Sequence, residues 1–241
     1  MRDLLNFTIV FEAHTAHTNG MKQKVTIGLK AVTVLAAFGG VLLGLFDAER
    51  EGYSHWSRRL LYFTAQSNLW LGVTVLMLLL SLARNKERAG KWYLFRYVFT
   101  ASIVLTGLVF CLILAPFAGK SYHPWSLSNI LTHVATPLLA LSDLVIDRYP
   151  VLMGAREITL CVLPPLGYVT LASLLGLFGV DFGRGVTYPY FFMNYCSPVG
   201  LFGMGGERPF VLGAVYWILL LLLVTLLVAK LLARLQVRRM R

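Results

Sequence analysis

Two residues near the beginnings of separate apolar stretches, Thr64 and His133, have the side chains of a nucleophile and a base. A threonine hydroxyl is a weak nucleophile until a base takes its proton, and histidine is the usual base. An ionisable residue inside a stretch that crosses a membrane is costly, and it indicates a functional site. The two residues are therefore predicted to form a nucleophile and base pair, provided that their stretches are neighbours in the fold.

Further polar residues share a helix face with each member of the pair. Ser67 and Asn68 follow Thr64 at the i+3 and i+4 positions, and Asn129 precedes His133 by four residues. At about 1.5 Å per residue, Thr64 lies about 5 Å and His133 about 9 Å from the outer ends of their stretches. We expect the two side chains to meet. Asn129 or Asn68 then orients the imidazole or stabilises an oxyanion. A structural interpretation stays open, because membrane helices also use Thr, Asn and His to bond to one another.

The composition favours a chain that lies mostly in apolar surroundings. Hydrophobic residues make up 57% and charged residues 14%, whereas soluble domains contain about 25% charged residues. Six apolar stretches each reach the roughly 20 residues that a membrane helix needs, at residues 25–46, 61–83, 94–117, 127–146, 157–178 and 209–232. Because unpaired backbone groups cannot face lipid, these stretches are predicted to be helices. The predicted fold class is an all-α, polytopic integral membrane protein with a bundle of six transmembrane helices.

The basic residues are distributed unequally between the two sides of this bundle. Fifteen Lys and Arg residues lie on the side of the two termini, and six lie on the other side. The positive-inside rule then predicts that both termini are cytoplasmic. This pattern accounts for the net charge of +11 without nucleic acid, which we do not expect as a partner. Lys30 is predicted to extend to the cytoplasmic interface, and Asp143 to pair with a basic residue such as Arg96.

The chain divides into three parts, of which the membrane domain at residues 25–233 is the largest. Residues 1–24 are predicted to be a polar tail that is disordered or extends upstream of a natural start at Met21, and residues 234–241 a basic cytoplasmic tail. The spans contain no glycine loop for phosphate and no cluster of metal ligands, so no cofactor or metal is expected. The aromatic run at residues 188–192 is either an interfacial belt or the lip of a lipid-binding site.

The same residues carry a family resemblance over about residues 21–232. The runs YFTAQSN at 62–68 and NILTH at 129–133, with Pro137, Asp143 and the sequence YPYF at 188–191, resemble a group of bacterial six-helix membrane proteins. That group is similar to the androgen-induced gene protein family of animals, whose members are atypical threonine hydrolases. They cleave esters between a fatty acid and a hydroxy fatty acid. The resemblance implies that Thr64 is the nucleophile and His133 the base.

The resulting hypothesis is an intramembrane hydrolase of lipid esters, acting near the outer leaflet. Its expected partners are membrane lipids and a lipid ester substrate, and its expected location is the inner membrane of a bacterium, as a multi-pass protein. An acyltransferase using the same pair is an alternative, because only the acceptor differs. A transporter or binding protein for lipids or small molecules is a second alternative, which predicts polar residues at mid-membrane depth. A structural or partner-binding subunit is a third.

Overall fold

Six long helices account for most of the computed structural model, which describes residues 20–84, 90–117, 123–147, 153–183 and 185–237. The predicted tails lie largely outside the described residues, at 1–19 and 238–241. Each of the six helices is long and apolar enough to cross a membrane. They are α1 (Gly20–Asp47), α2 (Phe63–Ala83), α3 (Gly90–Phe117), α4 (Leu127–Ile146), α5 (Ala155–Leu177) and α6 (Ala214–Val237). No described residue belongs to a β-strand, beyond one isolated bridge. The predicted all-α class with six long apolar helices is confirmed.

The predicted bounds agree at both ends of α4 and at the C-terminal ends of α2 and α3, and they differ by up to five residues at the other ends. The difference that matters for function is at α2, which was predicted to begin at residue 61 and begins at Phe63. Residues Trp56–Leu61 instead form a 3-10 helix, and the extended backbone of Tyr62 separates it from α2. Thr64 is therefore the second residue of its helix, nearer to the helix end than the sequence predicted.

The described parts of three connections, at residues 48–62, 123–126 and 178–213 without residue 184, all lie at one end of the bundle, which we call the site end. This follows because α1, α3 and α5 end there, and α2, α4 and α6 begin there. The polar N-terminal turns of α2 and α4 are thus brought to the same end. At mid-height Leu71, Val75, Ile103 and Ala140 form a buried apolar cluster, and buried hydroxyl side chains such as Thr74, Thr100 and Thr136 lie at similar height.

Between this apolar cluster and the opposite end of the bundle lies a buried ionic cluster. Lys30 Nζ lies 2.6 Å from an oxygen of Asp143 and 2.9 Å from one of Asp147. Arg96 Nη1 lies 3.1 Å from each of the same two carboxylates. The predicted pairing of Asp143 with Arg96 is confirmed. The prediction that Lys30 extends to the interface was wrong: its side chain is 0% exposed. The carboxylates of Asp143 on α4 and of Asp147, directly after α4, compensate for its burial.

Candidate active site

The structure brings Thr64 and His133 into contact. Thr64 Oγ1 lies 3.2 Å from His133 Nε2, within hydrogen-bonding distance. Thr64 is on the first turn of α2, and His133 is seven residues into α4, so the two helix beginnings face each other. The imidazole is buried, with 6% of its surface exposed. This is the geometry that the sequence analysis required for a nucleophile and base.

The hydrogen bonds at the far side of the ring assign the position of its proton. His133 Nδ1 lies 3.1 Å from the backbone oxygen of Asn129 and 3.0 Å from Thr132 Oγ1. The Asn129 carbonyl only accepts. The Thr132 hydroxyl donates its proton to the Ser128 carbonyl at 2.8 Å, so it is left as an acceptor. Nδ1 therefore carries the hydrogen, and the lone pair of Nε2 faces the Thr64 hydroxyl, which donates to it.

A local change in helix geometry aims the imidazole. Residues Leu131–Ala135 form a π-helical turn within α4, a feature that is frequent at functional sites. Pro137 follows this turn and has no N–H to bond to the carbonyl of His133, four residues earlier. A second π-helical turn in α3, Phe110–Leu114, presents Phe110, whose ring stacks on the imidazole with a centroid distance of 3.9 Å. The ring is held on one face by an aromatic and at its edge by hydrogen bonds.

Two glycines let the neighbouring helices close around this turn. A Cβ atom on Gly40 of α1 would lie 2.7 Å from Thr132 Cγ2 and 2.9 Å from Leu131 Cβ. A Cβ atom on Gly107 of α3 would lie 2.8 Å from the carbonyl oxygen of His133. These separations are too short for any larger residue. Small residues at such positions allow close packing of membrane helices, and here they fix where His133 sits.

The three supporting residues predicted from the sequence are near the pair, and each makes a different contact. Asn68 donates from Nδ2 to the carbonyls of Thr64 (2.8 Å) and Thr132 (3.2 Å), so it joins α2 to α4. Ser67 donates to the Thr64 carbonyl at 3.2 Å. The Asn129 side chain donates to the carbonyl of His123, while its backbone oxygen accepts from the imidazole. The sequence analysis expected Asn129 or Asn68 to orient the imidazole. The backbone oxygen of Asn129 has this role, whereas Asn68 connects α2 to α4.

A cavity of about 290 Å³ opens beside the pair at the site end. It is bounded by α1, the beginnings of α2 and α4, the end of α3, and the aromatic run. Thr64, His133 and Asn129 line it together with Arg59 and Tyr190. A second, narrow cleft of about 50 Å³ lies between α3, α5 and α6 and is almost wholly apolar. Because Thr64 and Tyr190 line both spaces, the threonine stands at their junction.

Tyr190 is a candidate functional residue that the sequence analysis did not single out. Its hydroxyl is close enough to Thr64 and Phe63 for these residues to influence its pKa, and Tyr190 and Thr64 line the same cavity. Burial raises the pKa of Tyr190 to about 12, although the hydrogen bonds with Thr64 oppose this rise. Tyr190 thus remains a neutral donor at ordinary pH. The signal for it was the aromatic run at 188–192, which was interpreted as either an interfacial belt or the lip of a lipid-binding site. Two residues of the run, Tyr190 and Phe191, line the cavity.

The N-terminus of α2 adds backbone donors to the same place. Tyr62, the residue before the helix, makes no side-chain capping bond, so its side chain does not occupy the amide donors of the first turn, which has no earlier turn to bond to. A helix N-terminus also carries a partial positive charge. Thr64 therefore lies where a negative charge on a neighbouring oxygen is stabilised.

Comparisons with known proteins leave the resemblance as an expectation from the sequence. No family model, curated protein or solved structure matches the chain. Within the described ranges, no group of three or more His, Cys, Asp or Glu residues is placed to hold a metal ion. The arrangement that remains is a hydroxyl, an imidazole and several hydrogen-bond donors around one cavity.

Proposed function

We propose that the protein is a membrane hydrolase of lipid esters, with Thr64 as the nucleophile and His133 as the base. The observation that carries this proposal is the 3.2 Å contact between Thr64 Oγ1 and the unprotonated Nε2 of His133, at the wall of a cavity. A base must be within hydrogen-bond reach of the proton that it removes, and this one is.

The reaction proceeds in two halves through an acyl-threonine. Thr64 Oγ1 attacks the ester carbonyl carbon while its proton passes to Nε2 of His133, which leaves a negative charge on the carbonyl oxygen. When this tetrahedral species collapses, the bond to the alcohol oxygen breaks, and the alcohol leaves with the proton from Nε2. Water then attacks the acyl-threonine and gives a proton to the same nitrogen. Release of the carboxylic acid returns that proton to Thr64 Oγ1.

The donors around Thr64 match the charge that develops in this reaction. The oxyanion forms next to the attacking oxygen, where the Tyr190 hydroxyl and the first amides of α2 are found. Preorganised donors at such a point lower the barrier, and loss of one costs about 10²- to 10³-fold in rate in well-studied acyl-transfer enzymes. In this role Tyr190 replaces the supporting residues that the sequence predicted.

The lipid character of the substrate is supported by the surroundings of the threonine. The apolar cleft that meets Thr64 is lined by side chains such as Leu105 and Val109 of α3, Val169 of α5 and Leu221 of α6. An acyl chain placed there leaves its ester carbonyl at the junction. Esters of hydroxy fatty acids, which the family resemblance implies, have this shape. The orientation expected from the basic residues puts the site in the outer leaflet, with both termini in the cytoplasm.

The alternatives differ in what they require of the interior. A transporter needs a continuous polar path between the two ends; the buried hydroxyls at mid-height, such as Thr74, Thr100 and Thr136, are interspersed along the same helices with the apolar cluster of Leu71, Val75, Ile103 and Ala140. An acyltransferase needs only a different acceptor for the acyl-threonine. Products distinguish it from a hydrolase, because a transferase yields a new ester in place of a free acid.

The proposal is tested with the purified protein in detergent and a fluorophosphonate probe, which labels activated hydroxyls. Labelling is expected in the wild type and absent from Thr64→Ala and His133→Ala. Thr74→Ala is the matched control, because Thr74 is on the same helix, is buried, and bonds to the carbonyl four residues earlier. Folding of each variant is checked by thermal melting. Equal labelling of Thr64→Ala and the wild type, or a wild type that neither labels nor releases fatty acid from a panel of lipid esters, overturns the proposal.

A further inference from the structure

The cavity beside Thr64 has a charge that the proposed reaction does not use. Among the described residues that line it, Arg59 carries the positive charge, and none is an aspartate or glutamate. Arg59 belongs to the 3-10 helix directly before α2, five residues from the nucleophile. A cation at the wall of a cavity in apolar surroundings attracts anions more strongly than one in water.

The Arg59 side chain is held in place rather than free in solvent. It is 16% exposed, and its guanidinium lies against Gly44 of α1, where an added Cβ atom would come within 3.3 Å of the guanidinium carbon. The same group lies 5.4 Å from the ring centroid of Tyr53. A glycine and an aromatic ring thus shape a seat for a planar cation. By contrast, Arg50 at the same end of the bundle is 86% exposed.

Glu51 forms an ion pair with Arg59 from one side. Its Oε2 atom lies 2.8 Å from Arg59 Nη1. Glu51 is not among the residues that line the cavity, so it approaches the guanidinium from outside the cavity. A guanidinium presents five N–H donors in a planar fork, which suits the two oxygens of a carboxylate or phosphate.

From this geometry we propose that Arg59 is the anion-recognition residue of the site, binding a carboxylate or phosphate on the ligand whose ester or chain lies at Thr64. The inference rests on the proposed function for the identity of the ligand as an acyl lipid. The apolar cleft takes the acyl chain, Thr64 meets the ester, and the alcohol part carries the anionic group towards Arg59. The site therefore selects lipids with an acidic group on the alcohol side.

Equilibrium binding tests this assignment without requiring catalysis. The protein carries Thr64→Ala throughout, and the ligands are oleate, oleyl phosphate and oleyl alcohol, which share a chain length and differ in head group. Adding Arg59→Gln is expected to weaken binding of at least one acid by about tenfold or more, which corresponds to about 1.4 kcal/mol or more. Binding of oleyl alcohol stays unchanged. Whichever acid loses more identifies carboxylate or phosphate as the preferred group.

Two further variants separate recognition from folding. Arg50→Gln, which removes an exposed charge at the same end, is expected to leave all three affinities unchanged. Glu51→Gln is expected to tighten binding of the acid, because it removes the negative charge beside Arg59. Equal weakening of oleyl alcohol and the acids in Arg59→Gln, or no weakening at all, overturns the inference. If selective binding persists while the wild type hydrolyses no ester, the proposed function fails and the anion site stands.

Discussion

Replacement of Gly40 by alanine tests whether close helix packing sets the position of His133. The new Cβ atom would lie 2.7 Å from Thr132 Cγ2, about 0.7 Å short of the 3.4 Å at which ordinary contact begins. It would also lie 2.9 Å from Leu131 Cβ. Both atoms belong to the π-helical turn that carries the imidazole, so α1 and α4 must separate by several tenths of an ångström.

The expected cost follows from this displacement. A misplacement of about 1 Å in a catalytic group lowers the rate by about 10²-fold, so we expect Gly40→Ala to slow labelling of Thr64 by about tenfold or more. Overpacking of this kind also destabilises a fold by about 1–3 kcal/mol. The imidazole loses alignment both with Thr64 Oγ1 and with the hydroxyl of Thr132.

The adjacent glycine provides the matched control. No atom lies within 4 Å of a Cβ built on Gly39, and a glycine-to-alanine change inside a helix stabilises it by about 1 kcal/mol. Gly39→Ala is therefore expected to melt no lower than the wild type and to label at the same rate. Labelling rates and melting temperatures are measured for both variants in one detergent. If Gly40→Ala labels and melts as Gly39→Ala does, the packing argument is refuted.

Three other changes probe separate parts of the molecule. Thr132→Val removes one of the two acceptors of the His133 Nδ1–H at nearly constant shape. We expect labelling to slow by about fivefold, for a loss of about 1 kcal/mol, whereas Thr132→Ser should label as the wild type does. Equal rates for the two variants contradict the assignment of the proton to Nδ1. Tyr190→Phe is expected to lower the hydrolysis rate by about tenfold or more through loss of an oxyanion donor. Because burial raises the pKa of Tyr190 to about 12, the ratio of wild-type to Tyr190→Phe rates should be constant from about pH 7 to about pH 10, where an ordinary tyrosine is half ionised; a ratio that falls towards one at the alkaline end would argue against a neutral donor. Asp143→Asn leaves the buried Lys30 and Arg96 with one carboxylate and should destabilise the fold by about 3–5 kcal/mol. Asp47→Asn, which removes the charge of the partly exposed Arg50–Asp47 pair at 3.6 Å, should change stability by at most about 1 kcal/mol. Similar melting temperatures for the two variants would contradict a stabilising role for the ionic cluster.

Residue types and helical spacing were sufficient to predict which side chains form the pair. Thr64 and His133 were expected at similar depth because each position in a helix fixes a height, at about 1.5 Å per residue. Height is a local property of the chain, and this part of the prediction agrees with the contact at 3.2 Å. The error at the beginning of α2 was also local, since the apolar pattern does not distinguish a 3-10 helix from the α-helix that follows it.

Contacts between distant parts of the chain were not predictable in the same way. Tyr190 and Arg59 reach the cavity from two connections, and the apolar pattern does not determine the path of a connection. Lys30 was assigned to the interface because one side chain was considered alone, whereas its two carboxylate partners, on α4 and directly after it, are more than 100 residues away. Burial of a charge depends on the partner that the fold supplies.

The sequence by itself therefore determined the helical class, the number and approximate bounds of the long apolar helices, and the two side chains suited to be nucleophile and base. These follow from composition and periodicity, which act within one turn of the chain. Only the tertiary structure decided which nitrogen of His133 faces the threonine, which donors surround it, and which cation lines the cavity. The reason is that helix rotation and neighbour choice are set by packing across the bundle, at contacts such as Gly40 against Thr132 and Gly107 against the His133 carbonyl.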